Sequence, residues 1–211
     1  MITTTYGHQD APIVLIQMVD DHDLEGMEAE VAEIQSLTDA DFCLIAIKVH
    51  NWNADLSPWT APAVFGDESF GNGAAHTLTE VLQYVSDRRK TYYIGGYSLS
   101  GLFALWAAYQ TDVFKGVAAA SPSAWFPGFT DYMKEHAIHA ESVYLSLGDK
   151  EEKTRNPVMA TVGDRIREAS EVLKSQKVNT ILEWNQGNHF KDAGIRTAKA
   201  FAWVMQARAV L

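Results

Sequence analysis

Ser98, His189 and a group of carboxylates between them are the residues of this chain best suited to chemistry. A serine hydroxyl is a poor nucleophile at neutral pH until a base takes its proton. Histidine can serve as that base, and a carboxylate can fix the imidazole tautomer and stabilise the imidazolium that forms. Ser98 stands in Tyr92-Tyr93-Ile94-Gly95-Gly96-Tyr97-Ser98-Leu99-Ser100-Gly101-Leu102-Phe103. An apolar strand-like run stops at glycines, and an apolar helical pattern begins directly after the serine. That strand–tight turn–helix layout is a nucleophile elbow, which lifts one hydroxyl out at the top of a parallel sheet. Residues two before and two after the nucleophile face each other across the turn and must be small. Here they are Gly96 and Ser100, a serine standing where glycine is usual. The plainer alternative is a tight βα turn with a capping serine.

Of the seven histidines, His189 alone has the right chain order together with a Gly-Asn lead-in in a polar loop, Asn185-Gln186-Gly187-Asn188-His189-Phe190. His136 and His139 lie on a polar stretch without the third or fourth ligand that a metal site requires. His8 is near the terminus, His22 falls after the first apolar run, and His50 and His76 have no defined role. The acid comes from Leu147-Gly148-Asp149-Lys150-Glu151-Glu152. Glu151 stands three residues after the glycine that ends this strand, the place where many hydrolases carry the acid, and is the leading candidate, with Asp149 and Glu152 as alternatives. Serine, acid, histidine is the chain order of an α/β-hydrolase triad.

A developing oxyanion needs preorganised donors. The Leu99 backbone N–H at the helix start is one, and a backbone N–H of Asp20, in the loop after the first parallel strand, is the expected second. The Asp20 and Asp21 side chains are then expected to turn outward or to be hydrogen-bonded locally. Ser100 is read as structural. Tyr97, Trp125, Trp52 and Trp59 concentrate near the site as candidate pocket residues, with scaffold packing as the alternative for each. Trp106 and Trp203 fall on helix stripes and read as core.

The elements that position these residues follow from the apolar pattern. Runs 13–18, 42–49, 92–95, 117–120, 143–147 and 180–184 read as buried strands. Leu24, Met27, Val31 and Ile34 fall at helical spacing, as do Val158, Val162, Ile166, Ala169 and Leu173, and Gly194, Ala198, Phe201 and Met205. Leu78, Val81, Leu82 and Val85 mark another helix, whose start is assigned to Thr77 with Glu80 as a capping box. Positions 50–73 are too irregular for either element. Short apolar runs alternating with amphipathic helices predict a mostly parallel sheet of about six strands covered on both faces. Ser98, Glu151 and His189 all fall in loops after strands, where such sheets place their functional groups. The expectation is one α/β-hydrolase domain over 1–211, trimmed at the N-terminus and without a separate lid domain.

The 211 residues carry a formal net charge of −10 and one cysteine. The charge disfavours nucleic acid and anionic membrane as partners, and a single cysteine excludes an internal disulfide. Cys43, within Phe42-Cys43-Leu44-Ile45, reads as a small buried hydrophobe. No secretory signal is visible and no run approaches the ~18 apolar residues of a membrane span. A cytoplasmic location follows as an expectation. The partner implied is a small-molecule ester; no cofactor or metal is implied, and the oligomeric state is not legible.

Gly95-Gly96-Tyr97-Ser98-Leu99-Ser100-Gly101-Leu102-Phe103-Ala104-Leu105 together with Phe114-Lys115-Gly116-Val117-Ala118-Ala119-Ala120-Ser121-Pro122-Ser123-Ala124-Trp125 resembles the esterase D-like family of α/β-hydrolases. The nearest branch is the ferri-siderophore and enterobactin-type esterases. Leu145 to Glu152 and Gly187-Asn188-His189-Phe190 are similar to that family's acid and histidine regions, and Asp55-Leu56-Ser57-Pro58 resembles a motif after its second parallel strand. The resemblance runs from about Ile13 onward and implies carboxylic ester hydrolysis with Ser98, Glu151 and His189 as triad. Ser100 and Val19-Asp20-Asp21 depart from the family pattern, and no cationic anchors for an iron-siderophore stand out. Acyl transfer to an alcohol on the same fold, and a hydrolase-like binding module without catalysis, are the alternative functions.

Overall fold

A computed structural model of the protein describes residues 1–207. Seven strands form one sheet: β1 (Ile2–Gly7), β2 (Ile13–Val19), β3 (Phe42–Lys48), β4 (Thr91–Tyr97), β5 (Phe114–Ala120), β6 (Ser142–Gly148) and β7 (Asn179–Asn185). Their order is β1-β3-β2-β4-β5-β6-β7, parallel throughout except for β1, which runs antiparallel to β3. The six apolar runs each become a parallel strand. β1 adds a seventh strand that the apolar pattern does not announce. Ile2-Thr3-Thr4-Thr5-Tyr6 has strand propensity, but at the sheet edge it is almost wholly exposed, so there is no buried run to read.

Alternation along the strands divides the core in two. Val14, Ile16 and Met18 face one layer, with Tyr92, Ile94, Val117 and Ala119 beside them. That layer is closed by α3 (Ala74–Val81), α4 (Leu99–Gln110) and α6 (Val162–Ser175). Leu15 and Val19 face the other, where α1 (Asp21–Leu37) and α7 (Ala193–Gln206) pack. Period-2 alternation in the strands and 3.6-period stripes in the helices make both faces apolar. Two shorter helices, α2 (Trp52–Asp55) and α5 (Phe129–Glu135), lie in the connections after β3 and β5. Cys43 is buried and free, Trp106 is core, and Trp203 is partly buried against Tyr144. Among the described residues no helix is long and apolar enough to cross a membrane.

One predicted cap moves. α3 starts at Ala74 behind Gly73, not at Thr77. Thr77 lies one turn inside the helix, and its hydroxyl donates to the Asp55 carbonyl (2.8 Å). The capping box that does form is Asp20 with Asp23 at α1: Asp23 N–H donates to Asp20 Oδ1 (2.8 Å) and Asp20 N–H to Asp23 Oδ2 (3.2 Å). Acidic residues suit both positions, because they satisfy orphan N–H groups at the positive end of the helix.

Candidate active site

The turn between β4 and α4 holds Ser98 at φ 56°, ψ −122°, a strained conformation for a non-glycine residue. Gly96 is required opposite it, because a Cβ there would lie 2.0 Å from Ser100 Oγ. Ser100 in turn donates to the Met18 carbonyl (2.8 Å) and is buried. The serine that departs from the usual glycine thus ties the elbow to β2, using the space that Gly96 leaves.

Ser98 Oγ lies 3.0 Å from His189 Nε2, and His189 Nδ1 lies 2.7 Å from Glu151 Oε2. A carboxylate only accepts, so Nδ1 carries the hydrogen and, in the neutral ring, Nε2 is left free to accept from Ser98. Glu151 Oε1 also accepts from the Gly148 N–H (2.7 Å), the Ser121 hydroxyl (2.8 Å) and Arg196 Nη1 (2.9 Å). Burial pushes its carboxyl upward, but hydrogen bonding and charge from His189, with the Gly148 N–H and Ser121 hydroxyl, outweigh that and hold it below its ordinary value. The Gly148 contact accounts for the three-residue spacing: the loop turns back so that the carboxylate meets the N–H ending β6. The other two carboxylates of the loop have different partners. Asp149 Oδ1 accepts from the Gly187 N–H (2.8 Å) and Glu152 pairs with Arg167 (3.3 Å).

Arg196, on the first turn of α7, is the residue that sequence reasoning missed. It is 2 % exposed. Besides Glu151, its Nη1 reaches Tyr97 Oη (3.0 Å) and Ser121 Oγ (3.2 Å), and its Nη2 reaches the carbonyls of Asn188 (3.2 Å) and Gln186 (3.4 Å). Tyr97 donates to the His189 carbonyl (2.7 Å). One guanidinium therefore links the elbow, the acid loop and the histidine loop. An arginine on a helix reads by default as solvated, and its five acceptors come from four separate segments.

An open cavity of about 490 Å3 lies over Ser98 and His189. Trp52, Phe65, Phe70, Trp125, Met159 and Phe190 give it an apolar lining, with Asn53 and Ser123 as polar additions and no lysine, arginine or carboxylate among the lining residues. Ser123 Oγ is 3.4 Å from Ser98 Oγ. Trp52 and Trp125, two of the candidate pocket residues, both line this cavity. Tyr97 does not line the cavity; its hydroxyl is engaged by His189 and Arg196, and burial first of all raises its pKa to about 12. Trp59 is also elsewhere, donating to the Pro127 carbonyl (2.9 Å) and packing on Phe126 and Tyr132. The Leu99 N–H sits at the first helical position, where no intrahelical acceptor exists. The Asp20 N–H, expected to be its companion, is instead taken by Asp23, and Asp20 does not line the cavity. Among the described residues no three histidine, cysteine or carboxylate side chains are grouped to hold a metal. His136 stacks on Tyr132 instead.

No family model matches the sequence, and no curated protein matches it. Solved structures do match its architecture. An IroE-like serine hydrolase from Shewanella oneidensis superposes with a TM-score of 0.74 at 13% identity, over 95% of this chain and 74% of that one. The siderophore hydrolase EstA from Aspergillus nidulans gives 0.67 at 17% identity, over 94% and 84%. The Bacillus cereus carboxylesterase gives 0.59 at 13% identity, over 98% and 94%. With its strand order, its helices on both faces and the serine turn after a central strand, the chain has the α/β-hydrolase fold.

Proposed function

We propose that this chain is a serine hydrolase of carboxylic esters. Ser98 attacks the ester carbonyl while His189 Nε2 takes its proton. Glu151 holds the Nδ1 hydrogen and balances the imidazolium charge. His189 then protonates the leaving alcohol, and a water activated by the same nitrogen releases the acid from the Ser98 acyl-enzyme. The Leu99 N–H stabilises the tetrahedral oxyanion.

The observation that carries this reading is the unbroken series Ser98–His189–Glu151, at 3.0 and 2.7 Å, opening into an uncharged cavity. The named hydrolases and esterases that share the fold support it. The aromatic lining and the lack of a cationic lining residue favour a neutral acyl group over an anionic one. The reading includes one domain over 1–211 and a cytoplasmic setting.

The test is labelling by a fluorescent fluorophosphonate, paired with hydrolysis of p-nitrophenyl acetate and butyrate, in wild type and Ser98→Ala. Labelling and turnover should both vanish in the variant while the fold remains. Folded wild type that neither labels nor turns over would refute the proposal.

A further inference from the structure

An acyl-transfer site with a single backbone donor lacks the second hydrogen bond that makes such a hole effective. In this chain the usual supplier is committed elsewhere. β2 ends at Val19 and α1 begins at Asp21, leaving Asp20 alone between them. The Asp20 N–H donates to Asp23 Oδ2, which closes the helix cap instead of reaching the cavity.

Asn53, in the connection after β3, has the complementary properties. It is 93 % buried, at 7 % exposure, and lines the cavity together with Ser98 and Leu99. Among the described residues its carboxamide has no hydrogen-bond partner. Nor are its amide atoms fully occluded, and the residue lines the cavity. Its backbone, by contrast, is held firmly. The Asn53 carbonyl accepts from Ser57 Oγ (2.7 Å) and from the Gly71 N–H (3.1 Å). Asn51 Oδ1 caps the same turn through the Ala54 N–H (2.7 Å), and Asp55 Oδ2 accepts from the N–H groups of His50 and Asn51 (3.0 and 2.9 Å). Gly71 and Gly73 press directly on Ala54, where added Cβ atoms would come to 2.8 Å from its Cα and 2.7 Å from its carbonyl oxygen.

A rigid backbone carrying an unpaired, nearly buried amide is poor design for stability, since a buried polar group without a partner is destabilising. It is good design for catalysis, because the missing bond forms when negative charge appears on the substrate oxygen. We propose that the Asn53 side-chain amide is the second oxyanion donor, beside the Leu99 N–H, and is therefore a catalytic residue of the ester hydrolysis on which this inference rests. It also gives the segment running into Asp55-Leu56-Ser57-Pro58 a role: holding that amide in place.

The experiment compares wild type, Asn53→Ala and Asn53→Asp on p-nitrophenyl butyrate and on its thiono analogue, whose sulfur accepts hydrogen bonds weakly. Loss of an oxyanion donor should lower kcat about 100- to 1000-fold and leave KM within about threefold. Asn53→Asp should be at least as inactive as Asn53→Ala. The oxygen-over-sulfur preference of wild type should collapse in Asn53→Ala, which a merely structural residue would not cause. A kcat within threefold of wild type, a loss confined to KM, or an unchanged thiono ratio would overturn the assignment. Should the variants not fold, a structure of wild type with a phosphonate on Ser98 decides: the phosphoryl oxygen must lie within hydrogen-bond distance of Asn53 Nδ2. Wild type without turnover or labelling would instead defeat the esterase proposal itself, a result distinct from active wild type with an indifferent Asn53→Ala.

Discussion

Arg196→Met is the substitution that most sharply tests how the proposed triad is held. Methionine roughly fills the space of the arginine stem, so the change removes the guanidinium more than the packing. The guanidinium makes five contacts, at 2.9, 3.0 and 3.2 Å from Nη1 and 3.2 and 3.4 Å from Nη2. Counting each separately would overestimate the loss, because the contacts share one group and act as a unit. The relevant figure is for a buried ion pair stripped of one partner, about 3–5 kcal/mol. Arg196 and Glu151 meet that condition, with side chains 2 % and 4 % exposed. For a chain of this size each kcal/mol moves Tm by about 2–4 °C, so a fall of about 6–20 °C is expected.

Denaturant unfolding at pH 7 measures the effect. In the Glu151→Gln background the same Arg196→Met change should cost much less. Activity should fall at least about tenfold, since Arg196 also holds the carbonyls of the histidine loop. A loss below about 1 kcal/mol, or an equal loss with and without Glu151, would refute the claim that this pair supports the site.

Glu30, on α1, is buried beneath α7 with Oε1 unpaired, and burial above all raises its pKa to about 8. A raised acid leaves stability intact below the unfolded value and subtracts from it as pH rises from about 4.5 to about 8. Glu30→Gln should therefore stabilise the protein by several kcal/mol at pH 8.5 and by much less at pH 5, read from Tm at each pH; a pH-independent effect would contradict this. Gly96→Ala should cost more than about 2 kcal/mol through its collision with Ser100 Oγ, and Ser100→Gly should restore part of that loss. Failure of the second change to help would mean that the turn conformation, not the contact, sets the requirement. Among the three carboxylates of the acid loop, Glu151→Gln should reduce kcat by about 1000-fold or more. Asp149→Asn and Glu152→Gln should stay within a few-fold, and full activity in Glu151→Gln would remove it from the triad.

The sequence by itself carried what is periodic or local. Alternating apolar runs and helical stripes defined six parallel strands and the layers on either side of them. The glycines and serines around Ser98 marked the turn, and the order of Ser98, the acid loop and His189 placed all three after strands. Tertiary structure decided what depends on partners distant in the chain. Glu151 is distinguished from its neighbours by what it meets: Ser121, His189 and Arg196 lie 30, 38 and 45 residues away. Arg196 carries no signal along the chain, because its burial depends on acceptors from four other segments. Edge strand β1 buries almost nothing, so it leaves no apolar trace, and Asp20 was lost to the expected hole because the Asp23 carboxylate competes for its N–H. Asn53 sits in a stretch without periodicity, and only the folded loop brings it to the cavity of Ser98. Burial patterns are written along the chain because the hydrophobic effect acts on each residue's own surface. Hydrogen-bond partnerships are directional and pairwise, and they exist only once the fold has brought the pairs together.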